Sequence, residues 1–123
     1  YCIEMNCPPG KRSAMLKELL SSPGRPTAVL VSDDILAMFV AGACGGLRLS
    51  VPGDLSILSF NNSLFAQLSY PQLTSVDVNA RQLGIEAAAQ MISHIENPGL
   101  PATKIIVPHV MVERDSCAPP ASA

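Results

Sequence analysis

Asp33 and Asp34, and about thirty residues later Asn61 and Asn62, are the side chains whose types and spacing best equip this chain to hold a polar ligand. Each pair closes an apolar run, Val29-Leu30-Val31 before Ser32 in the first case and Ile57-Leu58-Ser59-Phe60 in the second. A buried parallel strand reads this way when its carboxyl end opens onto a crevice, which is where open α/β sheets bind ligands. Asp34 is expected to cap the helix that follows, since an acid at a helix start accepts backbone N–H bonds and suits the dipole. Asn62 either joins Asn61 in the crevice or shapes the turn through its own backbone bonds.

Other chemistries find less support. Asp33 and Asp34 are adjacent rather than facing, so they offer no acid/base pair across a substrate. No serine stands in a nucleophile elbow, and neither His94 nor His109 has a paired nucleophile, so no enzyme activity is expected. Gly42, Gly45 and Gly46 fall at a helix end rather than in a strand-to-helix turn, which argues against a nucleotide cofactor. The four cysteines, Cys2, Cys7, Cys44 and Cys117, form no C-x-x-C pair, so no metal is expected and they read as buried, reduced thiols.

The elements that must position these groups follow from periodicity. Tyr1–Asn6 reads as strand and Pro8-Pro9-Gly10 as a turn, with a helix over Ser13–Ser21 and a strand over Thr27–Val31. Asp34–Cys44 is the next helix, stopped by Gly45-Gly46 where a terminus needs positive φ. Strand over Asp54–Phe60, a short helix over Ser63–Leu68 and an extended stretch over Leu73–Val78 come next. Asn79 caps the longest helix, Ala80–Ile95, and Ile105–Val107 with Val110–Val112 form a strand interrupted at Pro108, as at a sheet edge. Strand and helix alternate, which argues for a mostly parallel sheet with right-handed crossovers. Residues 1–115 then form one lobe and 116–123 a loose tail.

The chain is 123 residues long and 48% apolar, enough for one core, and its formal net charge of −2 supplies no basic stripe for nucleic acid. Lys11, Arg12, Lys17 and Arg25 read as a solvated face. No run approaches the roughly 20 apolar residues of a membrane span. No signal sequence opens the chain, and Tyr1 rather than Met starts it, so it reads as a piece of a longer protein in a reducing cytoplasm. Ile35 to Cys44 contains no charged or strongly polar side chain, and a helix without a wettable face is expected to be covered by a second subunit.

Several runs in register resemble one family. They are Arg25–Asp34, Gly46–Asp54, Leu55–Asn62, Pro71–Ser75, Gln82–Ala89 and Val112–Ser116 through Pro119-Pro120. Together they resemble the lactose-repressor/galactose-repressor family of bacterial transcription regulators over nearly the whole chain. The resemblance implies a Rossmann-like α/β lobe of a periplasmic-binding-protein-like (type I) sugar-sensing domain, its C-terminal lobe. The N-terminal lobe and the helix-turn-helix headpiece have no counterpart here, so operator DNA would be bound only through an absent headpiece.

The resemblance further implies a small-molecule sugar effector between two lobes, with Asp33 and Asn61 as contacts. A carboxylate accepts hydrogen bonds while a carboxamide donates and accepts, a mixture that suits vicinal hydroxyls. Cys7 falls where several members carry an aromatic ring, and a thiol cannot stack on a sugar. Phe65 or Tyr70 could supply that platform, although both also fit core or interface roles. The run Ser59–Leu64 looks most like maltose-operon repressors, implying maltose or a related glucoside. A homodimer is implied, with Met38, Phe39, Ser69 and Tyr70 at its interface, and the long Ala80 helix is expected to pack on the missing lobe. The competing class is a periplasmic sugar-binding protein of a transporter, which shares these lobes; a kinase or hydrolase lobe lacks its catalytic groups.

Overall fold

The computed structural model describes residues 7–120. The strand expected over Tyr1–Asn6, and Cys2 with it, lies outside them. Four helices and four strands alternate: α1 (Pro9–Ser21), β1 (Ala28–Leu30), α2 (Asp34–Gly46), β2 (Ser56–Phe60), α3 (Leu64–Leu68), β3 (Thr74–Asp77), α4 (Ala80–Glu96) and β4 (Val110–Val112). They form one sheet in the order β1-β2-β3-β4, parallel except for β4, which runs antiparallel to β3 at the edge. The expected mostly parallel α/β lobe is what forms.

Helix α1 starts four residues before the expected Ser13. Pro8 is its N-cap and Pro9 its first residue, so the Pro8-Pro9-Gly10 turn is in fact the helix start. Proline suits that position because its missing N–H has no intrahelical partner there and its φ is already helical. Leu16 and Leu20, one turn apart, are the residues that α1 buries fully. Two of the four expected surface cations are engaged. Arg12 donates to the Cys7 carbonyl at 3.1 Å and lies over the Phe39 ring at 5.4 Å, while Arg25 bonds the Asp54 carbonyl at 2.7 Å.

Helix α2 lies on the sheet with Ala37, Val40, Ala43 and Cys44 inward, closing the core with Leu55, Ile57 and Leu73. Burial pushes the Cys44 thiol up, which suits an inert core residue. Gly45 and Gly46 do not stop this helix; both are inside it. The stop is Arg48 at φ 59, with its N–H on the Gly45 carbonyl and the Leu49 N–H on the Cys44 carbonyl. That is a Schellman closure with arginine in the left-handed place that glycine usually takes.

The extended stretch over Ile105–Val107 is not paired in the sheet; only Val110–Val112 is. The tail is not loose at its beginning. Ser116 is fully buried, donating from Oγ to the Ile57 carbonyl and accepting from the Thr74 N–H, and Ile57 N–H returns a bond to its carbonyl. Residues 116–118 thus complete the hydrogen bonding of β2 where β3 has not yet begun, and Ala118 closes the set through Ser56 Oγ. Cys117, expected to be buried, is exposed.

Candidate functional site

Register brings the two sequence motifs together. Leu30 pairs with Leu58 on the adjacent parallel strands, and Asp33 and Asn61 each lie three residues beyond that pair, at the carboxyl edge of the sheet. Neighbouring strands are about 4.8 Å apart, so one small molecule can touch both.

The roles of the two aspartates are the reverse of the expected ones in one respect. Asp33, not Asp34, caps α2: its Oδ1 accepts from the Leu36 N–H at 2.8 Å, and its Oδ2 accepts from Ser32 Oγ at 3.1 Å. Each oxygen keeps a second lone pair, and the side chain is only half-buried, so capping leaves Asp33 able to accept from a ligand hydroxyl. Asp34, 2% exposed, turns inward instead. Its Oδ1 accepts from Ser59 Oγ at 2.6 Å and Ser75 Oγ at 2.9 Å, and its Oδ2 from the Ser63 N–H at 2.7 Å. Burial alone would raise this carboxyl, but the bonds from Ser59, Ser63 and Ser75 outweigh it and hold the group below the usual carboxylate range.

Asp34 therefore ties α2, β2, β3 and the start of α3 together directly behind the crevice. Sequence reasoning missed it, yet a signal was present. Ser59 interrupts the apolar run of β2 and pairs in register with Ser75 of β3, both fully buried, which is where a buried polar partner is required.

Asn61 is exposed at φ 95, its backbone N–H on the Val76 carbonyl, and its carboxamide has no hydrogen bond among the described residues. Asn62, at φ 45, is occupied within the protein: Nδ2 donates to Asp77 Oδ2 at 3.0 Å and Oδ1 accepts from Arg114 Nη2 at 2.6 Å. It shapes the turn, though through its side chain as well as its backbone. Cys7 begins the described chain half-buried, with Sγ 3.9 Å from Met15 Sδ, and shares no hydrogen bond with Asp33, Asn61 or Asn62.

The expected interface residues divide. Met38 is exposed, and Tyr70 wholly so, but Phe39 is half-buried under Arg12 and Ser69 folds its hydroxyl back onto the Ala66 carbonyl. The outward apolar residues of this side are Ile35 and Met38 on α2, with Leu64, Phe65 and Leu68 on α3 beside it. His109 is exposed and His94 half-buried in the last turn of α4. Asn79 stands at the N-cap of α4 in the left-handed region but makes no side-chain cap bond. No group of three metal-ligating side chains lies together, and no helix is long and apolar enough to cross a membrane, among the described residues.

Residues 4–117 match the family model described as a periplasmic binding protein-like domain. Among curated proteins, the chain is 31% identical over 118 residues to the HTH-type transcriptional repressor PurR of Edwardsiella ictaluri, covering 96% of this chain and 35% of that protein. It is 29% identical over 102 residues to a Rhizobium rhizogenes protein designated an opine utilization operon repressor, covering 82% and 52%. The chain thus spans about half or less of the length of these relatives. Among solved structures, a transcriptional regulator LacI from Bacillus cereus subsp. cytotoxis superposes with a TM-score of 0.83 at 37% identity, covering 88% of this chain and 39% of that one. A LacI family regulator from Enterococcus faecium with bound ribose gives 0.77 at 26% identity, covering 87% and 39%.

Proposed function

Because the chain belongs to the periplasmic-binding-protein-like domain family, in the form carried by LacI-family transcriptional regulators, we propose that it is the C-terminal effector-sensing lobe of a cytoplasmic repressor. The effector is a small polyhydroxylated molecule held at Asp33 and Asn61. The observation that carries this reading is the level placement of those two residues just past the carboxyl ends of adjacent strands, one side chain an acceptor and the other a donor and acceptor, both able to take further bonds. A sugar hydroxyl pair, each member of which donates and accepts, matches that set. The ribose bound to the Enterococcus faecium regulator is a molecule of this class.

Maltose or a related glucoside remains the candidate drawn from Ser59–Leu64. The relatives above carry the names of opine and PurR repressors, so that choice rests on the one run. Because those relatives are repressors, they favour gene regulation over delivery to a transporter. Cleft closure against a second lobe would alter operator affinity only if the effector binds one lobe arrangement better than the other. Ile35, Met38, Leu64, Phe65, Leu68 and Tyr70 form the surface through which a second copy would dock, giving the two-fold symmetry that a palindromic operator requires. Domain 1–115 would extend to Ala118, the last residue bonded to β2.

Thermal melting of the intact protein against maltose, ribose, glucose, an opine and a sugar phosphate tests the reading. An effector at about 100 times its Kd stabilises by roughly 2.7 kcal/mol. A rise with one sugar that disappears in Asp33→Ala supports the site. A rise that survives in both Asp33→Ala and Asn61→Ala overturns it.

A further inference from the structure

Asn61 and Asn62 both sit at positive φ, where side chains other than glycine are disfavoured, so the surrounding structure must hold the turn that carries Asn61. What holds it is a chain of three side chains. Arg114 donates to Asn62 Oδ1 at 2.6 Å and, through its other nitrogen, to the Leu73 carbonyl at 2.7 Å. Asn62 Nδ2 donates to Asp77 Oδ2, and Asp77 Oδ1 accepts from the Asn79 N–H at 2.7 Å. The order is chemically forced. A guanidinium only donates and a carboxylate only accepts, so one carboxamide between them must present oxygen to Arg114 and nitrogen to Asp77.

The positions of the outer members give the chain of bonds its meaning. Asp77 is the last residue of β3, where the chain leaves the sheet for α4, and Arg114 lies two residues past the end of β4, the strand by which the chain rejoins the sheet. Side chains from the end of β3 and from just past β4, the two strands that flank the α4 segment in sequence, therefore meet at Asn62, next to the crevice residue Asn61. We propose that Arg114, Asn62 and Asp77 are positioning residues: they hold Asn61 in its binding geometry and couple that geometry to the two strands that flank the α4 segment, at the β3 end that opens into α4. Asn62 thus acts through the turn rather than by touching an effector. The inference rests on the reading of Asn61 as an effector contact, but its test needs no effector.

The experiment is amide hydrogen exchange on the intact, unliganded protein as wild type, Asn62→Asp, and Asn62→Asp combined with Asp77→Asn. The single variant sets two carboxylates against each other. Exchange of the Asn62 and Asn79 amides is expected to accelerate together, roughly tenfold. The double variant exchanges the two groups and restores every donor to an acceptor, so both amides should return to within about twofold of wild type. Acceleration at Asn62 with Asn79 unchanged would show that the turn is not coupled to the α4 junction. Failure of the double variant to restore protection would equally overturn the proposal, and that arm stands if the single variant does not fold. Failure of the effector reading would show instead in the melting panel.

Discussion

Around β2 and β3 the buried polar residues Ser59, Thr74, Ser75 and Ser116 are all hydrogen-bonded within the lobe, whereas α4, the longest helix at 17 residues, buries none of its residues. On the first side, α2 covers the sheet and a charged hub, Asp34, fills a place where apolar packing gives way. On the second, Leu83 is 53% exposed, Met91 66% and Ile95 71%. A helix is stabilised mainly by packing its apolar face, not by propensity. The buried polar residues of the sheet half thus find their partners within the lobe, whereas α4 leaves its apolar stripe unpacked. The expected N-terminal lobe is the proposed cover.

The comparison breaks most severely at Asp34. Replacing it with alanine leaves two buried hydroxyls and one N–H without their acceptor, for an expected loss of about 4 kcal/mol. Denaturant unfolding measures it. An equal loss from an α4 surface residue would erase the distinction between the halves.

Acid should act on the same hub with a smaller effect, because a protonated carboxyl still fills the site. The Asp34 carboxyl titrates below its unfolded value, so its stabilisation is fully present above the ordinary carboxylate range near pH 4. It is lost as pH falls through the folded value, since there the unfolded chain binds more protons. Asp54, held down first by the Ser50 hydroxyl, and Asp77, first by the Asn62 amide, titrate in the same direction on the surface. Comparing wild type with Asp34→Asn by melting between about pH 3 and 6 isolates the buried group. Parallel curves for the two would show that Asp34 contributes nothing to the acid dependence.

The unequal legibility of the two halves in sequence has the same physical origin. The alternation of strands and helices follows from local apolar runs and forms as expected, while strand bounds shift by a residue or two and Ile105–Val107 stays unpaired. What stayed hidden depends on contacts distant in sequence. Capping of α2 falls to Asp33 rather than Asp34 because Ser59 and Ser75, 25 and 41 residues away, claim the second carboxylate. Ser116 is buried because β3 begins too late to pair with Ile57, which no local pattern in the tail records. Arg48, at positive φ, closes α2 although Gly45-Gly46 precede it, and the turn it makes sets Leu49 against the core. The exposed stripe of α4 was legible as apolar spacing, but periodicity cannot say which body it faces.

Polar substitution on α4 supplies the smallest effect and the sharpest form of the comparison. A groove of about 170 Å³ separates α4 from Thr103, Ile105 and Val107, and the cross-bond between them, from Thr103 Oγ1 to Gln90 Oε1, is exposed. Met91→Glu should then change the stability of the isolated 123-residue chain by no more than about 0.5 kcal/mol, as at an ordinary surface site. In a protein that includes the second lobe, the same substitution would bury a carboxylate without a partner and should cost several kcal/mol. Measuring Met91→Glu in both forms separates the two states of the helix. A loss of several kcal/mol already present in the isolated chain would mean that α4 packs on its own lobe after all, and the two regions would then be one. A small change in both would mean that the helix face meets solvent, or a partner other than the N-terminal lobe.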